Sequence, residues 1–248
     1  MPVWGVLAFF AVFIGAGALI FIASARQQKR WRARPAILRA LAQRRGYSVV
    51  EQPGKPSELV PIRPLDHGAD LKKMELPIAL RGRTVDANLT LFDVFTRSDH
   101  HGSRGGYTER FQTFITIKSG QQWPHFEFSA VAQPRDGSFA AALVTMTGAL
   151  AEAAMSSRGL VHVPIPDHPG YQLFAEPAVN GAQLRDALVP LFASRGPWWV
   201  GALDNALTMQ RCDSKSIAQG QLVDENGLDR FIDEAIDIER TLRAAIRP

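Results

Sequence analysis

An alternating pattern of apolar and polar residues runs through residues 84–96, which read TVDANLTLFDVFT. Its apolar members on one side are Val85, Ala87, Leu89 and Leu91. Because successive side chains of a strand point to opposite faces, this spacing predicts a strand with one apolar face. Residues 111–118 (FQTFITIK) repeat the pattern, and residues 126–130 are predicted as a third strand of an antiparallel meander.

Helices are predicted on both sides of these strands. Pro35 suits the first turn of a helix over residues 36–45, which Gly46 ends. Gly159 suits the end of a second helix, over residues 138–158. The connection between the first two strands, residues 97–110, is too long for a tight hairpin and is predicted as a loop.

A second block of elements begins at residue 171. A strand over residues 171–174 precedes a helix over residues 181–194 that Asn180 caps, and apolar residues at helical spacing predict a closing helix over residues 227–246. Between these helices, residues 198–203 and 207–212 predict a hairpin that turns at Asp204-Asn205. The predicted fold class is α+β, with mainly antiparallel strands and flanking helices. One domain covers residues 47–248, with candidate halves at 47–160 and 161–248.

The composition excludes two classes of small protein. The chain has 248 residues and a single cysteine, so it cannot form an internal disulfide. No Cys/His cluster has zinc-ligand spacing, which excludes a zinc finger. The net charge of +4 is unevenly distributed, because residues 1–45 carry eight bases and no acid while residues 46–248 carry 20 bases against 24 acids. A mildly acidic body argues against nucleic-acid binding.

An uncharged apolar segment of 23 residues runs from Val3 to Ala25, and it would span roughly 34 Å as a helix. This length predicts a transmembrane anchor in residues 1–25, followed by a basic juxtamembrane arm and short helix in residues 26–46. A cleaved signal peptide is one alternative, since Ala23-Ser24-Ala25 resembles a cleavage site, but the positive charge lies on the wrong flank. A buried helix of a soluble core is the other alternative.

The bases after this segment predict its orientation. By the positive-inside rule, the amino terminus lies outside and the globular domain lies in the cytoplasm. The chain is therefore predicted to be a single-pass protein of the inner (cytoplasmic) membrane, with an arm that also attracts anionic lipid headgroups. The predicted membrane-interface residues are Trp4, Arg26, Lys29, Arg30, Trp31, Arg32 and Arg34.

Small side chains share one face of the predicted anchor, at Ala8, Ala11, Gly15 and Ala18. Small residues let two transmembrane helices approach closely, so this stripe predicts a docking face for another membrane helix. The alternative is that alanine and glycine are simply common in such segments.

Three Asp-His pairs in predicted loops are the candidates for metal chemistry: Asp66-His67, Asp99-His100 with His101, and Asp167-His168. Imidazole and carboxylate are ordinary ligands of first-row metals. Nothing in the spacing brings the pairs together, so solvated loop histidines are the favoured interpretation. No metal, other cofactor or catalytic residue is predicted, and Cys212 is interpreted as a small core residue.

Trp198 and Trp199 form the strongest aromatic feature of the sequence. Because adjacent residues of a strand point to opposite faces, one indole would enter the core while the other faces outward. Two interpretations stay open, which are packing in the core or a groove and contact with a partner protein.

The order of these features resembles that of uncharacterised bacterial single-span membrane proteins with a cytoplasmic α+β domain. The resemblance rests on the amino-terminal helix, the basic arm, the Leu-Phe-Asp-Val-Phe stretch of residues 91–95, the Trp-Pro-His-Phe stretch of residues 123–126 and the closing helix. It implies no known activity. In architecture alone, the chain is similar to the H-type subunits of photosynthetic reaction centres.

Together, these features predict a non-enzymatic accessory or structural subunit that docks onto a larger integral-membrane complex. Energy-transducing complexes, photosynthetic or respiratory, are the candidate hosts, and their integral-membrane subunits are the predicted partners. Two alternatives stay open: a membrane-tethered enzyme with a metal site in the Asp-His loops, and a lipid-surface binding domain.

Overall fold

The computed structural model describes residues 32–51, 53, 74–75, 78–99, 107–130, 155–168, 170–195, 198–211 and 225–246. Within these residues the chain forms an antiparallel sheet with helices packed against it. The strands are β1 (Ser48–Val50), β2 (Met74–Glu75), β3 (Ala79–Arg83), β4 (Ala87–Asp99), β5 (Tyr107–Ala130), β6 (Val161–Val163), β7 (Tyr171–Ala175) and β8 (Trp198–Arg211). The helices are α1 (residues 32–45), α2 (Gly181–Ala193) and α3 (Glu225–Ala245).

The 24-residue strand β5 lies at the centre of the sheet. The strand order is β1-β3-β4-β5-β7-β6, with β2 paired to β4 and β8 paired to β5. The first half of β5 pairs with β4 and its last residues pair with β7, while β8 pairs along the other side. The strands predicted over residues 111–118 and 126–130 are therefore two parts of one strand.

The helices cover one face of the sheet. Leu91 of β4 and Ile115 of β5 share a core cluster with Leu38 of α1, Leu188 of α2 and Phe231 of α3. Burial of such side chains is the main favourable term in folding. Since residues from α1 to α3 meet in this cluster, both predicted halves of the chain and the helical part of the basic arm belong to one core.

The opposite face of the sheet carries a second set of buried residues. Phe92 and Phe114 lie opposite each other on β4 and β5, and their rings stack with 5.7 Å between centroids. Trp199 of β8 belongs to the same cluster. The middle strands are thus apolar on both faces, as expected for strands buried on both sides.

Two helices end at a glycine in the left-handed backbone region, as the sequence predicts. Gly46 has φ 66° after α1, and Gly159 has φ 77° after the helical residues 155–156. In each case the residue after the glycine donates its N–H to a carbonyl five residues earlier. This arrangement satisfies carbonyls that a helix end otherwise leaves without partners.

The predicted hairpin at Asp204-Asn205 is wrong, because β8 runs as a single strand through both residues. Asp204 does adopt a left-handed conformation, with φ 53°. The chain direction is kept, however, and the register with β5 shifts between the Lys118↔Ala206 and Trp123↔Asp204 pairs. The left-handed Asp204 therefore lies opposite an irregular stretch of β5, where residues 119–122 face a single residue of β8, and the chain does not reverse.

The prediction of a membrane-spanning helix is also corrected. In the part of the chain that the structure describes, no helix is both long enough and apolar enough to cross a bilayer. This finding overturns the single-pass, inner-membrane and cytoplasmic-domain assignments of the sequence analysis. The Val3–Ala25 segment itself lies outside the described residues.

Candidate functional site

Most residues of the predicted anchor and its interface lie outside the described residues, and these are Trp4, Ala8, Ala11, Gly15, Ala18, Arg26, Lys29, Arg30 and Trp31. Arg32 is exposed in the first described turn of α1. The remaining interface residue, Arg34, is buried.

Arg34 is held by the sheet and not by a membrane surface. Its Nε donates to Asp93 Oδ2 at 2.7 Å, and its Nη2 donates to Asp93 Oδ1 at 2.9 Å. Nη2 also donates to Thr113 Oγ1 at 2.9 Å, and that hydroxyl donates to Asp93 Oδ1 at 2.7 Å. Arg34 is 6% exposed and Asp93 is 1% exposed. This bidentate pair attaches α1 to β4 and β5.

Other arginines of the predicted basic arm also pair with carboxylates of this chain. Arg44 Nη1 lies 2.9 Å from Glu225 Oε1, and Arg45 Nη2 lies 2.9 Å from Asp233 Oδ2. Both arginines also contact Asp229. These contacts join α1 to α3, so part of the positive charge is accounted for by helix packing within the chain.

Trp198 and Trp199 point to opposite faces of the sheet, as the alternation predicts, but neither faces outward. Trp198 is 0% exposed and stacks on Phe231 of α3, with 5.2 Å between ring centroids. Arg211 lies over the same indole at 5.3 Å. Trp199 is 4% exposed on the second face. The two tryptophans therefore pack in the interior.

The Asp-His pairs are only partly described. Asp167 and His168 are exposed, and the His168 ring lies 5.9 Å from that of Tyr171. Asp99 is described as part of β4, while Asp66, His67, His100, His101 and Cys212 lie outside the described residues. Among the described residues, no group of three or more His, Cys, Asp or Glu side chains is placed to hold a metal ion.

A buried carboxylate on the second face of the sheet forms the candidate site. Glu127 lies on β5 between Phe174 of β7 and Gly201 of β8, and it is 1% exposed. Its Oε1 accepts a hydrogen bond from Arg158 Nη1 at 2.5 Å. Its Oε2 has no hydrogen-bond partner among the described residues. We call Glu127, Arg158 and the neighbouring Trp199 the Glu127 site.

The environment of Glu127 makes its charge sensitive to pH. Burial raises the pKa of Glu127 to about 7, because a carboxylate loses its hydration there. The charge and hydrogen bond of Arg158 lower the pKa, and so does the nearby indole of Trp199. The ionised and neutral forms are thus close in free energy near neutral pH, so small changes around the group can move its proton.

Glu127 and Arg158 were not predicted from the sequence. Glu127 alternates with Phe126 and Phe128, which is the ordinary pattern of a strand with one solvated face. Its burial follows from the second buried face of the sheet. Trp199 was the one sequence feature that pointed to a buried second face, because alternation along the strand places its indole on the face opposite Trp198.

The strand β6 forms one end of the sheet and carries an exposed apolar side chain. It pairs only with β7 among the described strands. Val161 is 48% exposed, and His162 is also exposed. Val163 contacts Gly181 of α2 closely enough that a Cβ there would lie 2.8 Å from its side chain. β6 therefore packs against α2 at Val163, while the side chains of Val161 and His162 are exposed.

Comparison with known proteins identifies no relative: no protein family, no curated protein and no solved structure matches the chain significantly.

Proposed function

We propose that this chain is a non-enzymatic accessory subunit that docks onto a larger protein assembly through a surface that includes β6. The observation that carries this proposal is an apolar side chain exposed on an edge strand. Val161 is 48% exposed, and β6 has a described neighbour on one side only. The N–H and C=O groups on an open strand edge can pair with an extended segment of another protein.

The structural use of buried charge supports the non-catalytic part of the proposal. Arg34 and Asp93 attach α1 to the sheet, and Arg158 reaches Glu127 from the end of another helix. Glu239 of α3 is 2% exposed and pairs with Arg243 one turn later. In each case an arginine neutralises a buried acid. The first two pairs also attach a helix or its end to the sheet, as expected of a scaffold, whereas the third lies within α3.

The shortness of β6 defines how a partner would bind. The strand has three residues, and Pro164 follows it directly. Proline lacks an N–H, so strand pairing beyond this point is weak. Addition of a partner strand would therefore supply few main-chain hydrogen bonds, and burial of the Val161 side chain would contribute much of the remaining affinity.

The proposal predicts that Val161→Lys releases the partner. Charged side chains on a strand edge oppose the addition of another strand. The wild-type tagged full chain should co-purify with a partner at a fixed stoichiometry. The variant should retain about one tenth of that partner, which corresponds to a loss of ~1.4 kcal/mol in binding free energy. Quantitative mass spectrometry of the purified assembly measures this ratio.

Val85→Lys is the matched control. Val85 is 87% exposed between β3 and β4, so the same substitution there changes the surface charge equally without touching β6. Both variants should unfold within about 0.5 kcal/mol of the wild type, because both sites are at the surface. Equal retention of the partner by the two variants, or a wild-type chain without a stoichiometric partner, would contradict the proposal.

A further inference from the structure

The Glu127 site joins the centre of the sheet to the end of a helix. Arg158 lies in the turn that follows the helical residues 155–156, and its side chain is 27% exposed. Glu127 is the buried member of the pair, and its side chain is 2% exposed. Arg158 can therefore reach water by a change of rotamer, whereas Glu127 cannot.

The turn itself has a defined structure, which we call the 155–160 turn. Leu160 N–H donates to the Met155 carbonyl at 3.1 Å, and Gly159 N–H donates to the Ser156 carbonyl at 3.0 Å. These are the two hydrogen bonds of a Schellman motif, and Gly159 occupies its left-handed position.

Contacts of two kinds between described residues link the 155–160 turn to the sheet. One is an apolar cluster in which Met155 and Leu160 pack on Phe174 of β7. The other is the hydrogen-bonded ion pair between Arg158 and Glu127. Of these two contacts, only the ion pair contains ionisable groups, so it is the one whose strength can change with pH.

We propose that Glu127 is a proton-controlled latch for the 155–160 turn: the ionised carboxylate holds Arg158 against the sheet, and the neutral acid releases it. The inference goes beyond the proposed function and does not depend on it. The physical reason is that a buried ionised acid needs its counter-charge, while a neutral one does not. Arg158, once its partner is neutral, is better solvated by water.

The direction of the pH dependence follows from linkage. In the docked state the pKa of Glu127 is raised by burial to about 7, and Arg158 limits that rise. When Arg158 leaves, this limit is lost and the pKa of the still-buried acid rises further. The docked state thus binds fewer protons than the released state, so docking is favoured as the pH rises and is weakened as the pH falls.

Other titratable groups lie near the site and must be separated from Glu127. His125 precedes Glu127 by two residues on β5, and burial lowers its pKa, while the charges of Glu176, Arg158 and Asp204 also act on it. His162 of β6 packs against Phe174, with 5.4 Å between ring centroids. Replacement of each histidine by glutamine therefore provides a control.

Amide hydrogen exchange of the full chain tests the latch. After correction for intrinsic exchange rates, the protection of the Gly159 and Leu160 amides should increase between about pH 5.5 and about pH 8.5. If release of Arg158 raises the pKa of Glu127 by one unit, the total increase should be about tenfold, and each further unit should add another factor of about ten. Glu127→Gln should remove this dependence and leave the turn weakly protected. His125→Gln and His162→Gln should keep the wild-type dependence.

Arg158→Gln is the second variant, which keeps Glu127 and removes its counter-charge. Here too the 155–160 turn should exchange quickly at every pH, while the amides of β5 report that the sheet is intact. Persistence of the wild-type pH dependence in Glu127→Gln or in Arg158→Gln would overturn the latch. Protection that does not vary with pH in the wild type would overturn it as well.

Discussion

Arg34 and Asp93 show how a single residue pair fixes a helix on the sheet. Arg34→Met should destabilise the chain by about 3–5 kcal/mol, because it leaves the Asp93 carboxylate buried without its counter-charge. Urea unfolding at neutral pH measures the change.

Arg39→Met is the control for that substitution. Arg39 pairs with Glu51, and both side chains are more than half exposed. Such a surface pair contributes about 0–1 kcal/mol. A small effect of both substitutions would contradict this role of the Arg34–Asp93 pair.

At the same scale, sequence patterns predicted the direction of a side chain better than its burial. The alternation at Trp198 and Trp199 correctly predicts opposite faces, but both faces turn out to be covered. Arg34 was predicted at a membrane interface because it follows other bases, whereas its partners Asp93 and Thr113 lie far away in the chain. Pairings of this kind depend on tertiary packing, which a local pattern does not contain.

At the scale of elements, the Schellman motif at Gly159 gives a separate prediction. Gly159→Ala should destabilise the chain by about 1–2 kcal/mol, because φ 77° is unfavourable for a residue with a Cβ. The cost is conformational, since a Cβ at this position meets no atom within 4 Å. Thermal or urea unfolding measures it.

Gly120→Ala is the control for that substitution. A Cβ added at Gly120 likewise meets no atom within 4 Å, and this glycine lies in β5 without a positive φ. The alanine there should leave stability within about 1 kcal/mol of the wild type or raise it slightly, because alanine restricts the unfolded chain. Equal effects of the two substitutions would mean that the backbone at residue 159 relaxes into an ordinary conformation.

Several elements whose ends carry local signals were predicted well, and pairings between distant strands were not. The start of α1 is an exception, because the helix already includes residues 32–35 and not only the predicted residues 36–45. Asn180 caps α2 as predicted, accepting a hydrogen bond from the Gln183 N–H at 3.2 Å, and α3 begins and ends within two residues of its predicted bounds. The Asp204-Asn205 signal was misread because a left-handed residue occurs both in turns and in irregular stretches of a continuous strand. The register with β5, which distinguishes the two, is set by long-range pairing.

At the scale of the whole molecule, charge pairs explain much of the positive segment that suggested a membrane. Arg44 and Arg45 lie against the acidic residues of α3, so the first and last described helices are joined electrostatically. Arg195, after α2, reaches Asp237 of α3 at 2.6 Å. Positive-inside reasoning counts bases near an apolar segment, and it takes no account of the carboxylates to which they are bound.

The Glu127 site also has a place in the whole molecule, because the 155–160 turn leads directly into β6. The residues that respond to the latch are therefore adjacent in the chain to Val161, the exposed residue of the proposed docking surface. The candidate site could not be predicted from the sequence, since it needs residues from β5, β8 and the turn to meet on one face.

Amide hydrogen exchange at β6, compared between the isolated chain and the purified assembly, tests the central claim most directly. Addition of a partner strand would protect amides of Val161–Val163 and bury the Val161 side chain, so exchange in β6 should slow by at least about tenfold in the assembly. The edge strand at the opposite end of the sheet, β1, should exchange as it does in the isolated chain. Unchanged exchange in β6, with protection gained at β1 or elsewhere, would contradict docking through this edge.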